Sequence, residues 1–368
     1  MDNLLIKLNF VLVIGFFSSL VPAADPLHDY WGLSEYLTTH PEQIPLSIAF
    51  SAQVQLPAHP TIFRAKQPLK VAIVFPAEQV SDYWRRNILA FESRMTELAI
   101  PYQLEPFFTK PSLEPREQSR NLFEALKSDP DYLIFTLDTL RHKKFIERVV
   151  SKGRPKIILQ NITTPLKAWQ DKQPFFYVGF DHATGSWMLA DYYKAAFPRS
   201  ADYGMLYFSK GYVSAARGDT FIDAMQSAEA IKLKTSYYTK ANRESAYQAA
   251  LSTLREYPNL DFFYACSTDV ALGAVDAIKQ LGLQNKVRVN GWGGGSAELE
   301  AIENADLDVT VMRMNDDTGV AMAEAIKLDQ QSRPVPLVYS GELVLVTKGI
   351  SKGRLNTLKH RAFRYSDQ

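Results

Sequence analysis

The chain has 368 residues, of which 46% are hydrophobic and 22% charged, and its 41 Lys and Arg balance 40 Asp and Glu to a net charge of +1. This is globular composition, too apolar for a disordered chain and long enough for about two domains of ~100–200 residues. So even a balance offers no basic field for nucleic acid, and no helix-turn-helix or RNA-binding signature is present.

The chain opens with Lys7, an apolar run from Leu8 to Phe17, and small residues ending in Val21-Pro22-Ala23-Ala24. This order predicts a secretory signal peptide over residues 1–24, too short for a transmembrane helix, and therefore export to the periplasm. Residues 25–68 are rich in Pro and aromatics, lack a steady period, and predict an arm packed over the body. From Val71 the rhythm changes. Residues 71–75 read as a buried strand by their continuous β-branched run. Ser81 is expected to cap the next helix, which carries Trp84, Ile88 and Phe91. Strands follow at 102–108, 132–135, 156–159 and 176–178, with helices at 118–126 and around Phe145.

After Asp181 the alternation starts again. Strands are predicted at 203–208, 235–238, 262–265, 287–289, 309–311 and 339–346. Helices are predicted at 185–196, from a Ser214 cap through Met225, and at 246–254, 270–281, 297–302 and 318–326. Such alternation gives parallel sheets with helices on both faces. One open sheet of so many strands is improbable, so the expected fold is α/β, two doubly wound parallel-sheet lobes.

In open α/β sheets, ligands sit beyond the carboxyl ends of the strands. The residues there are Gln79, Ser81, Thr136, Asp138, Asn161, Arg217, Ser267, Thr268, Asn290, Trp292, Arg313 and Asn315, with Trp84 nearby. Indoles give an apolar wall to a ring, and the polar groups pair with hydroxyls. Two arginines point to a ligand with negative charge or several oxygens in one plane. Ser81, Asp138, Ser214 and Thr268 are also good helix caps, and Trp84 alone suits a core. Gly291-Trp292-Gly293-Gly294-Gly295-Ser296 does not complete G-x-G-x-x-G, and an inter-lobe hinge explains its glycines as well. The six histidines form no metal spacing, and no nucleophile elbow is present, so neither a metal site, a cofactor site nor an enzyme is expected. Cys266, the single cysteine, lies in an apolar run and reads as a small buried hydrophobe.

Tyr177-Val178-Gly179-Phe180-Asp181, followed by a Gly-containing helix, resembles the first inter-lobe crossing of the ribose-type periplasmic binding proteins. The segments 79–84, 132–138, 159–165, 217–220, 265–272, 290–298, 311–318 and 361–367 resemble those of the members that bind the quorum-sensing signal autoinducer-2. The resemblance covers essentially the whole mature chain. It implies type I lobes joined by a three-strand hinge, residues 69–181 plus 315–338 forming one and 182–314 plus 339–368 the other. It implies a furanosyl borate diester as ligand, with boron entering as part of that ligand. Gln79, Ser81, Asn161, Arg217, Thr268 and Arg313 match the hydrogen-bonding residues, Trp84 and Trp292 the aromatic wall, and Thr136 and Asp138 secondary cleft positions. It further implies a LuxQ-like membrane sensor histidine kinase as partner. The alternative is the sugar-binding protein of an ABC importer, which would share the fold.

Overall fold

A computed structural model describes residues 27–61, 67–110, 115–137 and 140–367; the expected signal peptide and Asp138 lie outside the described residues. In chain order the first elements are α1 (Leu33–Thr39), α2 (Gln43–Gln55), β1 (Leu69–Phe75), α3 (Tyr83–Glu97), β2 (Tyr102–Phe108), α4 (Pro115–Lys127), β3 (Tyr132–Phe135), α5 (Leu140–Val150), β4 (Lys156–Gln160) and β5 (Phe176–Gly179). Next come α6 (His182–Ala196), β6 (Ala201–Tyr207), α7 (Tyr212–Ser214), α8 (Thr220–Met225), β7 (Ile231–Tyr238), α9 (Arg243–Glu256), β8 (Phe262–Ala265), α10 (Thr268–Gln280), β9 (Arg288–Gly293), α11 (Ser296–Glu303) and β10 (Val309–Arg313). The chain closes with α12 (Asp316–Gln330), β11 (Val338–Ser340), β12 (Leu343–Thr347) and α13 (Lys352–Ala362).

These strands form two six-stranded sheets, one per lobe. The first has the order β11-β5-β4-β3-β1-β2 and is parallel throughout. The second has the order β12-β10-β9-β8-β6-β7, with β12 alone antiparallel, against β10. In β1 every residue except Lys70 is buried, and β8 is buried throughout. Helices cover both faces, which is why these strands read as unbroken apolar runs. Each fully buried Ile or Phe in them contributes about 1.5–3 kcal/mol.

The chain passes between the lobes three times, after β5, after β10, and between β11 and β12. The expected single strand at 339–346 is therefore two strands in different sheets. It breaks at Gly341, whose N–H donates to the Gly179 carbonyl at 2.8 Å while Phe180 lies against it too closely for a side chain. The first sheet thus keeps the chain through Ser340, past the expected boundary at 338.

The arm does pack over the body, but as two helices. Phe50 and Val54, one turn apart on α2, enter the core of the first lobe. The face they cover includes α12, which is buried on nearly all sides. The run at 291–296 is not a hinge. It is the end of β9 and the turn into α11, where Gly293, at φ 136°, leaves room for the Arg313 guanidinium. The expected caps are displaced as well. Asp82, not Ser81, precedes α3, and Ser267, not Thr268, precedes α10. Ser214 ends α7 and runs into a π-helical turn at Ala215–Asp219.

Candidate functional site

Both sheets reverse strand order beside their first strand, β1 in one lobe and β6 in the other. Loops at the carboxyl ends near such reversals diverge and leave a crevice. The two crevices face each other and enclose a cavity of about 70 Å³. Gln79, Ser81, Trp84, Thr136 and Asn161 line it from the first lobe, and Arg217, Thr268, Trp292 and Arg313 from the second. Pro76, Tyr83, Phe208, Val213 and Ser267 complete the wall. Two strand-end candidates lie elsewhere. Asn290 is inside the second sheet, where its amide bridges the Ala265 N–H and carbonyl, and Asn315 donates to the Tyr83 carbonyl at 3.5 Å.

The second lobe supplies two cations. Arg217 sits in the π-helical turn, 4% exposed, with its guanidinium 3.9 Å from the Trp292 ring centroid. Its Nη1 donates to the Cys266 carbonyl at 2.7 Å, and its Nε to His182 Nδ1 at 3.4 Å. Arg313 ends β10, 5% exposed, with its guanidinium 3.9 Å from the Tyr83 ring centroid. Among the described residues neither guanidinium has a carboxylate within ion-pair distance. Burial, followed by the charge of Arg313, pulls the Arg217 pKa down to about 9, so it remains charged at neutral pH. Burial lowers Arg313 too. Two charges taken out of water with neutral partners alone cost several kcal/mol each. The Trp292 and Tyr83 ring faces soften that cost by cation–π attraction without cancelling it.

The neutral donors and acceptors are pre-set. Asn161 holds a left-handed conformation at φ 65°, which Asn tolerates, and its Oδ1 is buried without a partner among the described residues. Ser267 Oγ is likewise buried without one. An unfilled buried acceptor or donor costs about 1–3 kcal/mol, which an occupant with complementary oxygens recovers. Trp292 is held from behind: its Nε1 donates to the Tyr264 hydroxyl at 3.2 Å, and Gly185 has no side chain because one would strike the indole. Trp84 packs on Phe75, centroids 4.6 Å apart, and so serves both core and cavity.

Carboxylates outside the cavity join the lobes. Asp269 at the start of α10 accepts from the Val80 and Ser81 N–H groups, at 3.1 and 3.4 Å. Asp82 reciprocates, accepting from the N–H and hydroxyl of Ser296 and from Arg86. The nucleophilic groups nearest the cavity are held inert. Burial raises the Cys266 thiol to about 12, and both His182 nitrogens are engaged. No group of three or more His, Cys, Asp or Glu that could hold a metal exists among the described residues.

Sequence reasoning missed Tyr83, Phe208, Val213 and Pro76. Phe208 was within reach of the strand-end rule, since it directly follows β6. Tyr83 was not, because it sits on a helix rather than at a strand end, and its contact with Arg313 spans 230 residues.

Fold and cavity define a two-lobed α/β protein with a cavity for a small molecule between its halves. Residues 71–329 match the periplasmic binding protein domain family, and the chain belongs to that family. It is 26% identical over 132 residues to the D-allose-binding periplasmic protein of Escherichia coli (strain K12), a match covering 36% of this chain and 42% of that one. The matched stretch thus spans about two fifths of that relative. A solute-binding protein of an ABC transporter from Actinobacillus succinogenes 130z, solved with D-allose, superposes with a TM-score of 0.68 at 21% identity, over 77% of this chain and 99% of that one. The fructose-binding periplasmic domain of a hybrid two-component system gives 0.70 at 18% identity, over 79% and 95%. At such identities the likeness is one of fold. No helix among the described residues is long and apolar enough to cross a membrane.

Proposed function

We propose that this protein is a periplasmic receptor whose lobes close on autoinducer-2 as a furanosyl borate diester and relay that closure to a LuxQ-like membrane sensor histidine kinase. The observation that carries this reading is the pair of buried guanidiniums, Arg217 and Arg313, with no carboxylate beside them in the cavity wall formed by the described residues. A tetrahedral borate ester is a compact anion of one-ring size, and charge-assisted hydrogen bonds to it contribute about 1.5–3 kcal/mol each. Asn161, Ser81, Gln79, Thr268 and Thr136 surround the same space with groups that pair with ring hydroxyls. Asp138, outside the described residues, is expected to contribute only on the strength of the resemblance to autoinducer-2 receptors. The protein binds and performs no chemistry on its ligand.

Closure follows from bridging. A ligand that touches both lobes binds the closed state better and shifts the population toward it. Moving that equilibrium from 1:99 to 99:1 takes about 5.5 kcal/mol, which two or three strong cross-lobe bonds supply. A fructose-binding periplasmic domain of a hybrid two-component system shares this fold, so a kinase readout is compatible with it. A second reading, a neutral-sugar receptor of an ABC importer, is favoured by the D-allose-binding relatives. Calorimetric titration with the signal precursor, with and without borate, and with D-allose separates them. Heat that requires borate supports the receptor; tight D-allose binding without boron contradicts it.

A further inference from the structure

His182 is the first residue of α6, on the β5–α6 crossing between lobes, and is 1% exposed. Its Nε2 lies 3.1 Å from the Asn161 carbonyl, which can only accept. Its Nδ1 lies 3.4 Å from the Arg217 Nε–H, which can only donate. The imidazole is therefore the neutral Nε2–H tautomer, fixed by its two partners. Asn161 belongs to the first lobe and Arg217 to the second, and both line the cavity. The ring also packs edge-on against Trp292, centroids 5.4 Å apart, and tilted against Tyr212 at 6.0 Å. We propose that His182 is a positioning residue, which sets Asn161 and Arg217 in one mutual geometry across the crossing and so couples the two halves of the cavity.

The charged groups around the ring favour that role. Arg217 and Arg313 face it from the second lobe. The neighbouring Asp181 carboxylate is turned to its own helix, accepting from the Ala183 N–H and the Thr184 hydroxyl. The Tyr212 hydroxyl is paired with Thr164 at 2.6 Å. Burial first, then the Arg217 charge, hold His182 well below the ordinary histidine range. A proton on Nδ1 would remove the acceptor for Arg217 and add a third cation, so the coupling persists throughout the neutral range.

This inference rests on the cavity being a ligand site, not on the ligand containing boron. Two experiments on the full chain test it. In ligand-free protein labelled with ¹⁵N-histidine, the His182 resonance, assigned by its loss in His182→Phe, is expected as the Nε2–H tautomer, unchanged from about pH 5 to 8. An Nδ1–H tautomer or a midpoint inside that range overturns the proposal. In titrations with signal precursor plus borate, His182→Phe keeps the ring contacts but loses both bonds, and affinity is expected to fall about tenfold. In an Arg217→Ala background the same change is expected to cost less than about twofold, because its effect passes through Arg217. Equal losses in both backgrounds contradict coupling. His182→Asn, whose amide oxygen reaches the place of Nδ1, should recover part of the loss; no recovery contradicts it, and this variant also serves if the phenylalanine protein does not fold. Should the wild type bind neither this probe nor D-allose, the ligand reading falls, while the tautomer measurement still decides His182.

Discussion

Arg94 and Arg217 are both buried arginines, yet they occupy opposite electrostatic situations. Arg94, on the seam between α3 and α12, lies 2.6 Å from Glu324, and both side chains are within 1% of complete burial. Gln53 from the arm and Lys327 also contact that carboxylate, and Arg94 donates to Tyr365 and the Leu56 carbonyl. Although burial opposes its charge, Glu324 and these partners raise the Arg94 pKa. In the cavity, burial acts on Arg217 and Arg313 with no carboxylate among the described residues at ion-pair distance; the more distant Glu298 offsets it only in part, and both fall. A cation whose partners are all internal holds structure. One left with neutral partners at a cavity wall is, on the function proposed above, poised for an anion that arrives later.

The contrast is broken most easily at the seam. Arg94→Met leaves the buried Glu324 with only Lys327 and Gln53, and unfolding in denaturant should show a loss of about 3 kcal/mol or more. A loss below about 1 kcal/mol would mean that the seam pair is not the structural cation described here.

Asp316 sharpens the seam side. It accepts from the Tyr365 and Ser366 N–H groups and the Ser366 hydroxyl, tying the chain end to α12, yet burial raises its pKa from 3.8 to about 6. The folded protein therefore favours the protonated form. That contribution is full below about pH 3.8 and disappears as pH rises through 6. It corresponds to on the order of 3 kcal/mol at about 1.4 kcal/mol per pKa unit. Wild-type stability relative to Asp316→Asn should fall across this window and be flat above it, measured by denaturant unfolding at each pH. A difference that rises with pH would reverse the assignment.

On the cavity side, Arg217→Met and Arg313→Met should each weaken binding of signal precursor plus borate by about 1.5–3 kcal/mol, roughly ten- to a hundredfold. The ligand-free proteins should be as stable as wild type or more so, since an uncompensated buried charge has gone. Destabilisation on the scale of Arg94→Met would erase the distinction between the two regions. The smallest effect is expected at the lobe junction. Asp269→Asn weakens the bonds to Val80 and Ser81 without entering the cavity wall, and affinity should drop by about 1 kcal/mol, roughly fivefold. Scattering should show a correspondingly larger fraction of open protein at subsaturating ligand.

The two regions were unequally legible in the sequence. The cavity's residues follow strands such as 71–75 and 262–265, and continuous buried runs announce such strands, so counting forward reaches Gln79, Thr136, Asn161, Thr268, Trp292 and Arg313. That rule ignores where side chains turn, and so it also reached Asn290, which points into its own sheet. The seam was illegible. Glu324 meets Arg94 and Gln53 across 230 and 271 residues, and α2 buries only Phe50 and Val54 while exposing Ile44 and Ile48, so no apolar period marks its inner face. Arg217 reached the cavity through a π-helical turn that no hydrophobic period foretells. The glycines at 291–296 suggested motion, whereas Gly293 serves the close approach of Arg313.

Boron-11 NMR of the full-length protein with signal precursor and borate bears on the central claim without intermediaries. A tetrahedral boron resonance with the linewidth of the protein, abolished in both Arg217→Met and Arg313→Met, is the expected result. Free trigonal borate alone, in a protein that is nonetheless saturated by the precursor or by D-allose, would contradict an anionic occupant between the two guanidiniums.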